Sequence, residues 1–279
     1  MRTALAVLLA AVSASLYALS TSLQALEARR TPSETALRSS LLLKLVRRPL
    51  WLAGAAAGVL AWPVQAVALS LGSVALVQPA MGFGLIVLLV LGVTVLHEHV
   101  GARELGGALA IAGAVAALGF AAPKETGAFT TTGSWAMALS LLVVAPAPYL
   151  LRWAGRADGL TTSIAAGIGW AWVGLGTSLL DDALGARNWV ALAAWGIGVG
   201  LASWSTLIDE MTALQTWPAT RSVPVAFGLE MLLPAALAPL LTHESPQQTA
   251  LFVGALVVAG LGVVLLGGSK AVARAAVAS

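Results

Sequence analysis

Long apolar stretches, separated by short polar connections, follow one another along the whole chain. A helix needs about 20 mostly apolar residues to cross the hydrocarbon core of a bilayer. The pattern predicts nine such helices: 3–25, 50–71, 73–96, 104–121, 134–151, 159–181, 188–208, 217–241 and 248–268. Segment 31–48 is too short and too charged to span, so we expect an amphipathic helix on the membrane surface there. The fold class predicted is therefore all-α and membrane-embedded.

The composition agrees with this pattern and excludes several classes of site. The chain is 59% hydrophobic and 10% charged, whereas soluble domains average about 25% charged residues. It has no cysteine, which excludes disulfides, thiolate zinc sites and iron–sulfur clusters. Its basic residues lie between apolar stretches, where they orient helices and do not mark a nucleic-acid surface. We expect the lipid bilayer as the main partner, and no cofactor and no nucleic acid.

The distribution of basic residues predicts the orientation. Connection 27–49 holds six basic and two acidic residues, an excess that is typical of cytoplasmic loops. Nine spans threaded from there place the N-terminus outside, the C-terminus in the cytoplasm, and 12 of the 15 basic residues on the cytoplasmic side. This predicts a multi-pass protein of the cytoplasmic membrane, with a composition typical of a GC-rich bacterial genome. In the alternative interpretation the first span is a cleaved signal peptide, because Arg2 precedes its apolar run.

The second half of the chain repeats short sequences of the first half in the same order. Thr21-Ser22-Leu23, Phe83-Gly84-Leu85 and Gly107-Ala108-Leu109 return as Thr177-Ser178-Leu179, Phe227-Gly228-Leu229 and Gly254-Ala255-Leu256. The matched spans are predicted to cross the membrane in opposite senses. Inverted repeats with a substrate site between them are the architecture of secondary transporters. We therefore predict a four-helix repeat in 1–121, a linking helix in 122–158 and a second four-helix repeat in 159–279.

A longer string of residues carries a family resemblance. It runs Pro49-Leu50-Trp51, Gly54, Ala68-Leu69, Leu76-Val77-x-Pro79, Leu96-x-Glu98, Gly107, Gly113 and Ala122-Pro123, and continues in the second half with Met211-Thr212-Ala213-Leu214-x-x-Trp217, Pro224 and Glu244. In these residues the chain resembles the NIPA-like, magnesium transporter-like branch of the drug/metabolite transporter superfamily, with its EamA-type fold. The resemblance implies nine helices and a transport function.

One departure from that family bears on the substrate. The family has an acidic residue and an amide three positions apart in its second helix, and the aligned positions here are Trp62 and Gln65. Mg²⁺ prefers carboxylate and water oxygens, so the family's magnesium selectivity does not carry over. We predict a secondary transporter of a small metabolite, drug-like molecule or cation that works by alternating access and is not an enzyme. A magnesium or other divalent-cation transporter is the alternative, and a membrane enzyme or a non-transporting scaffold subunit is a further one.

Glu230 is the strongest candidate for chemistry because it lies near the middle of span 217–241. A charged side chain there costs about 2.5–3.5 kcal/mol on insertion scales and normally faces a cavity or a partner. It is either an ion- or proton-coupling group or a protonated packing residue. The remaining candidates for the substrate path are polar or aromatic side chains in apolar helices: Gln65, Gln78, Tyr17, Gln24 and Trp62. Pro79 and Pro224 are candidates for helix breaks, because proline removes a backbone donor.

The other polar motifs have simpler interpretations. His97-Glu98-His99 lacks the spacing of a helical metal site, and no metal ligands or catalytic residues are predicted. We expect Glu98 and its counterpart Glu244 to anchor connections between adjacent helices. Asp181-Asp182 and Asp209-Glu210 are interpreted as solvated charges at helix ends.

Overall fold

The structure, a computed structural model, describes residues 2–72, 77, 80–121, 129–241 and 247–267. In these ranges all regular secondary structure is helical. The helices are α1 (Arg2–Arg29), α2 (Ser39–Leu45), α3 (Pro49–Leu71), α4 (Phe83–Thr94), α5 (Ala102–Ala121), α6 (Thr131–Val144), α7 (Ala147–Trp153), α8 (Gly159–Gly185), α9 (Trp189–Thr216), α10 (Ala219–Leu241) and α11 (Thr249–Gly267). A short 3₁₀ turn, Ser33–Thr35, lies between α1 and α2.

Several of these helices are long and apolar enough to cross a bilayer. Within the described ranges five pass by length and composition, namely α1, α3, α8, α9 and α11. The pair α6 and α7, bent by 41°, adds a sixth only if it is counted as one span. Large apolar side chains on the outside, such as Val59, Leu142, Val190 and Val264, are 69–82% exposed, which suits contact with lipid. The prediction of a multi-pass helical membrane protein is confirmed. The number of nine spans and the inverted repeat remain predictions.

Polar residues fix where several helices begin. The Asp158 carboxylate accepts hydrogen bonds from the backbone N and the hydroxyl of Thr161, at 3.0 and 2.6 Å, at the start of α8. Asn188 accepts from the N of Ala191 at the start of α9. Side-chain oxygens at this position satisfy backbone donors that the helix itself leaves unpaired. These caps separate apolar stretches that would otherwise run together.

Segment 31–48 differs from its prediction. Its helix, α2, has seven residues, and its apolar face is not free to lie on lipid, because Leu41, Leu42 and Leu45 are at most 2% exposed. They pack in a cluster with Met211 and Leu214 of α9. The segment therefore covers the end of α9 with these three leucines, while Leu43 and Val46 remain exposed. Sequence periodicity cannot distinguish a protein partner from a lipid partner for such a face.

The helices pair in a consistent order. The first helix, α1, packs against α3 and α4, and α8 packs against α9 and α10. A third close pair, α5 with α11, joins the first half of the chain to the second. The contact of α1 with α3 includes a hydrogen bond from the Ser13 hydroxyl to the Ala61 carbonyl, 2.8 Å long, so α1 is integrated in the bundle.

Two glycines allow the close approach of α5 and α11. A Cβ atom on Gly107 would lie 3.1 Å from the Gly262 carbonyl oxygen, and a Cβ on Gly262 would lie 3.0 Å from the Gly107 carbonyl oxygen. Small residues let membrane helices approach backbone to backbone, and the packing they permit is a main source of helix association in lipid. The reciprocal contact places the two glycines at the crossing point of the two helices.

Gly107→Ala should therefore destabilise the protein, whereas Gly106→Ala should not. The added methyl at 107 would meet Leu266 Cγ at 2.6 Å, while nothing lies within 4 Å of one at 106. Overpacking costs about 1–3 kcal/mol, and an unhindered Gly-to-Ala change in a helix is neutral or favourable by up to about 1 kcal/mol. Thermal unfolding in detergent measures both. Equal melting temperatures for the two variants would contradict the crossing.

Candidate functional site

Two carboxyl groups on different helices lie within electrostatic range of one another. Glu230 lies in α10, eleven positions after Ala219, the first residue of that helix. Glu210 lies in α9, and its charge acts on Glu230. Both side chains are partly buried. We call Glu210 and Glu230 the interior acid pair.

Aromatic side chains from two further helices complete this site. The indole Nε1 of Trp170, on α8, donates a 2.9 Å hydrogen bond to Glu210 Oε2. The phenol of Tyr17, on α1, interacts electrostatically with Glu230. The site thus combines one helix of the first half of the chain with three of the second. Of the predicted residues, Tyr17 and Glu230 interact electrostatically, and Glu210 and Trp170 belong to the same group.

The chemistry of the acid pair follows from its surroundings. Two like charges close together in a low-dielectric interior repel strongly, and each also loses solvation. A proton or a cation between the carboxyl groups removes most of this cost. Acidic residues inside membrane segments commonly mark ion and proton pathways for this reason. The arrangement is suited to binding a positive charge and releasing it again.

The other predicted residues lie elsewhere. Gln24 Nε2 donates to Ser20 Oγ at 2.9 Å in α1, on the face that packs against Gly54 of α3. Gln65 is half-buried on α3. Trp62, also on α3, is 70% exposed on the outside of the bundle, a position suited to lipid contact and not to the lining of a site. Gln78 and Pro79 lie outside the described residues.

Pro224 does not interrupt its helix. α10 runs without a break from Ala219 to Leu241, and Pro224 is buried within it. As the sixth residue of α10, Pro224 lacks the N–H that would bond to the Thr220 carbonyl, yet the helix continues past it. The prediction of a break at this position is therefore wrong.

The interpretation of Asp209-Glu210 as solvated helix-end charges is also wrong. α9 continues to Thr216, and Asp209 is 1% exposed, with no hydrogen-bond partner for its Oδ1 atom among the described residues. The sequence carried a signal for this, because apolar residues continue in Met211-Thr212-Ala213-Leu214 after the two acids. By contrast, Asp181 and Asp182 are exposed in the last turns of α8, as expected.

Glu98 forms a second polar site at the end of the bundle that carries segment 29–48, which we call the basic end. Its carboxylate accepts hydrogen bonds from the backbone N of Ala219 at 2.7 Å, and from the N and hydroxyl of Thr220 at 2.9 and 2.5 Å. It also forms an ion pair with Arg29, the last residue of α1. A carboxylate at a helix N-terminus is stabilised by the helix dipole. We call Glu98, Arg29, Ala219 and Thr220 the Glu98 clamp.

The clamp refines the anchoring role predicted for Glu98. Glu98 joins the connection between α4 and α5 to the start of α10, which is distant in sequence, and not merely two adjacent helices. Its predicted counterpart Glu244 lies outside the described residues. Among the residues that the structure describes, no three His, Asp or Glu side chains gather as a metal site would require.

A second ion pair lies beside the clamp. Arg221 Nη2, in the first turn of α10, is 2.6 Å from Glu104 Oε1, and the two side chains are 11% and 7% exposed. The other oxygen, Glu104 Oε2, accepts from the backbone N of Gly101 at 2.8 Å. The first turn of α10 is therefore held at two points by charged residues of the first half of the chain.

Comparison with known proteins adds little about function. An uncharacterized protein of Corynebacterium glutamicum is 43% identical over 77 residues. The matched segment is 28% of this chain and 27% of that relative, so the chain spans well under two thirds of the relative's length. No family model matches the chain, and no solved structure is similar to it.

A double-mutant cycle tests the interior acid pair. Glu210→Gln and Glu230→Gln should each relieve the same repulsion and so raise the free energy of unfolding. The gain in the double variant should therefore be smaller than the sum of the two single gains, by about 0.5–3 kcal/mol. The amide at 210 still accepts from Trp170. The free energy of unfolding in detergent at neutral pH or above measures this coupling.

The control cycle combines Glu230→Gln with Asp181→Asn, an exposed acid near the end of α8. Distant sites should be additive within about 0.5 kcal/mol. If the Glu210–Glu230 cycle is as additive as this control, the two carboxyl groups do not act as a pair.

Proposed function

We propose that this chain is a secondary transporter of a small metabolite, drug-like molecule or cation, working by alternating access, with the interior acid pair at its binding site. The observation that carries the proposal is the meeting of Glu210, Glu230, Trp170 and Tyr17 from four helices inside the bundle. A scaffold has no need of two interacting carboxyl groups in its interior, since each costs free energy there.

The arrangement of helices supports the same proposal. The order of pairing in α1, α3 and α4 recurs in α8, α9 and α10, and α5 packs against α11. This is the pattern expected of two four-helix repeats related by a two-fold axis in the membrane plane. The repeated sequences also support two related repeats, as does the resemblance to the NIPA-like branch of the drug/metabolite transporter superfamily.

We propose further that the basic end faces the cytoplasm of a bacterial cell. Contacts at this end join the segments predicted to share one side: Leu37 N donates to Thr212 Oγ1 at 2.9 Å, and the Ser39 and Tyr149 hydroxyls lie 2.9 Å apart. At the other end the Gln247 N donates to the Ala121 carbonyl. These contacts agree with alternate crossing of the bilayer by successive helices.

A divalent cation is the second candidate substrate. Two carboxyl groups provide the oxygen ligands that Mg²⁺ and Ca²⁺ prefer, although the acid of the family's second helix is replaced by Trp62. An organic cation would in addition gain from the faces of Trp170 and Tyr17, because aromatic rings attract cations. The two candidates differ in whether metal alone is sufficient for binding.

Glu230→Gln should abolish coupled transport. The substrate is first selected by the rise in melting temperature that metals, amines, nucleosides or lipids produce in the purified protein. Its uptake driven by a pH gradient is then measured in reconstituted vesicles. We expect Glu230→Gln to lower the flux to the level of protein-free vesicles, because the amide cannot exchange a proton for substrate.

Glu34→Gln is the matched control, since Glu34 is an exposed acid in the 3₁₀ turn, and it should leave the flux unchanged. Full pH-driven flux in the Glu230→Gln variant would refute the coupling role of this residue.

A further inference from the structure

We propose that the Glu98 clamp is the gate at the basic end of the bundle, closed in this structure and opened in each transport cycle. The inference rests on the proposed function, because only a transporter requires an access path that opens and closes. The clamp is assigned from its position between the two halves of the chain and from the contacts around it.

The clamp joins parts of the chain that must separate for access from this end. Glu98 lies in the connection between α4 and α5, whereas its backbone donors Ala219 and Thr220 begin α10. Arg29 adds the end of α1, and its Nε lies 3.4 Å from the Leu214 carbonyl oxygen near the end of α9. One carboxylate, 5% exposed, thus ties α1 and the α4–α5 connection to the helix that carries Glu230.

The contacts behind the clamp close the same path. Ala25 of α1 packs with Leu96, Ile208 and Ala219 in one buried cluster. About two turns further into the bundle, Ala18 packs with Leu88 and Val225 in another cluster. Glu230 lies ten positions beyond Thr220, about 15 Å along the axis of α10 at 1.5 Å per residue. Separation of the first turn of α10 from α1 and α4 would open a route from the basic end toward the acid pair.

The chemistry of the clamp suits a reversible closure. Hydrogen bonds between charged side chains and a helix N-terminus are strong when closed, and water replaces them when they open. The apolar contact beside them involves little side-chain volume: Gly92 of α4 approaches Thr220 so closely that a Cβ would lie 2.2 Å from Thr220 Cγ2. Closure therefore requires a residue without a side chain at position 92. Any added methyl should hold α4 and α10 apart.

A cysteine reporter tests this gate directly. The chain has no cysteine of its own, so Ser22→Cys introduces a single reactive thiol. Ser22 is fully buried and shares a face of α1 with Ala18 and Ala25, whose clusters include residues of α4, α9 and α10. A membrane-impermeant maleimide is applied to full-length protein in vesicles of either orientation, and the rate of labelling is measured.

We expect slow labelling of Ser22→Cys when the clamp is intact. Substitutions that break the clamp should raise the labelling rate by about tenfold or more. Glu98→Ala removes the acceptor. Gly92→Ala opens the same contact without removing a charged group. Thr220→Ser should reverse its effect, because that change deletes the Cγ2 atom and keeps the hydroxyl. A return to slow labelling in the double variant Gly92→Ala/Thr220→Ser distinguishes opening of a gate from general destabilisation of the fold.

Two controls complete the design. Arg30→Gln removes an arginine next to the clamp whose partner is Glu27, in its own segment, and should not change labelling. Ser13→Cys reports on the α1–α3 contact and should stay protected in every variant. Unchanged labelling of Ser22→Cys in both Glu98→Ala and Gly92→Ala would overturn the proposal. Equal acceleration at Ser13→Cys would overturn it too, because the clamp would then hold the fold and not a gate.

The labelling experiment and the flux experiment can reject the gate and the transport function separately. Accelerated labelling in the clamp variants with no flux of any compound in the panel would support opening at the clamp. It would reject the proposed transport function. Flux driven by a pH gradient in protein with an intact clamp, together with labelling that is the same in all clamp variants, would reject the gate. The proposed transport function would then be unaffected.

Discussion

The free-energy cost of a carboxyl group in the apolar interior of this bundle constrains the rest of the structure. Glu210 and Glu230 can be accommodated only where they face other polar groups, and so four helices converge on them, with Trp170 donating to one and Tyr17 beside the other. Apolar side chains then cover the outside of the bundle. The same constraint operates at the basic end, where Glu98, Glu104, Arg29 and Arg221 are paired between segments.

These two polar sites lie on one helix. α10 begins in the clamp, continues past Pro224 without interruption and carries Glu230 in its interior. A rigid helix that is held at one end and carries a charged group further along can transmit a change at either place to the other. Binding at the acid pair and closure of the basic end would thereby be linked through the position of α10. The glycine crossing of α5 and α11 provides a fixed contact between the halves about which such a movement can take place.

The sequence predicts the all-helical fold and several of the spans because their signal is local. Apolar runs of the right length and capping residues such as Asp158 and Asn188 lie within a few positions of the boundaries they define. The sites depend on contacts between distant segments, which periodicity does not encode. Glu230 was predicted from its depth in a span, but Glu210 was assigned to a helix end because two adjacent acids resemble a boundary. The continuation of α9 to Thr216 and the hydrogen bond from Trp170 of α8 to Glu210 show otherwise, and that contact cannot be inferred from either segment alone.

The opposite orientation of the two halves is the central claim, and the sidedness of α1 and α8 measures it most directly. Thr3→Cys and Ala154→Cys place single thiols near the starts of these helices, at exposed positions, in a chain without other cysteines. The account predicts that an impermeant maleimide labels them from opposite faces of the membrane in vesicles of known orientation. Labelling of both from the same face would contradict it.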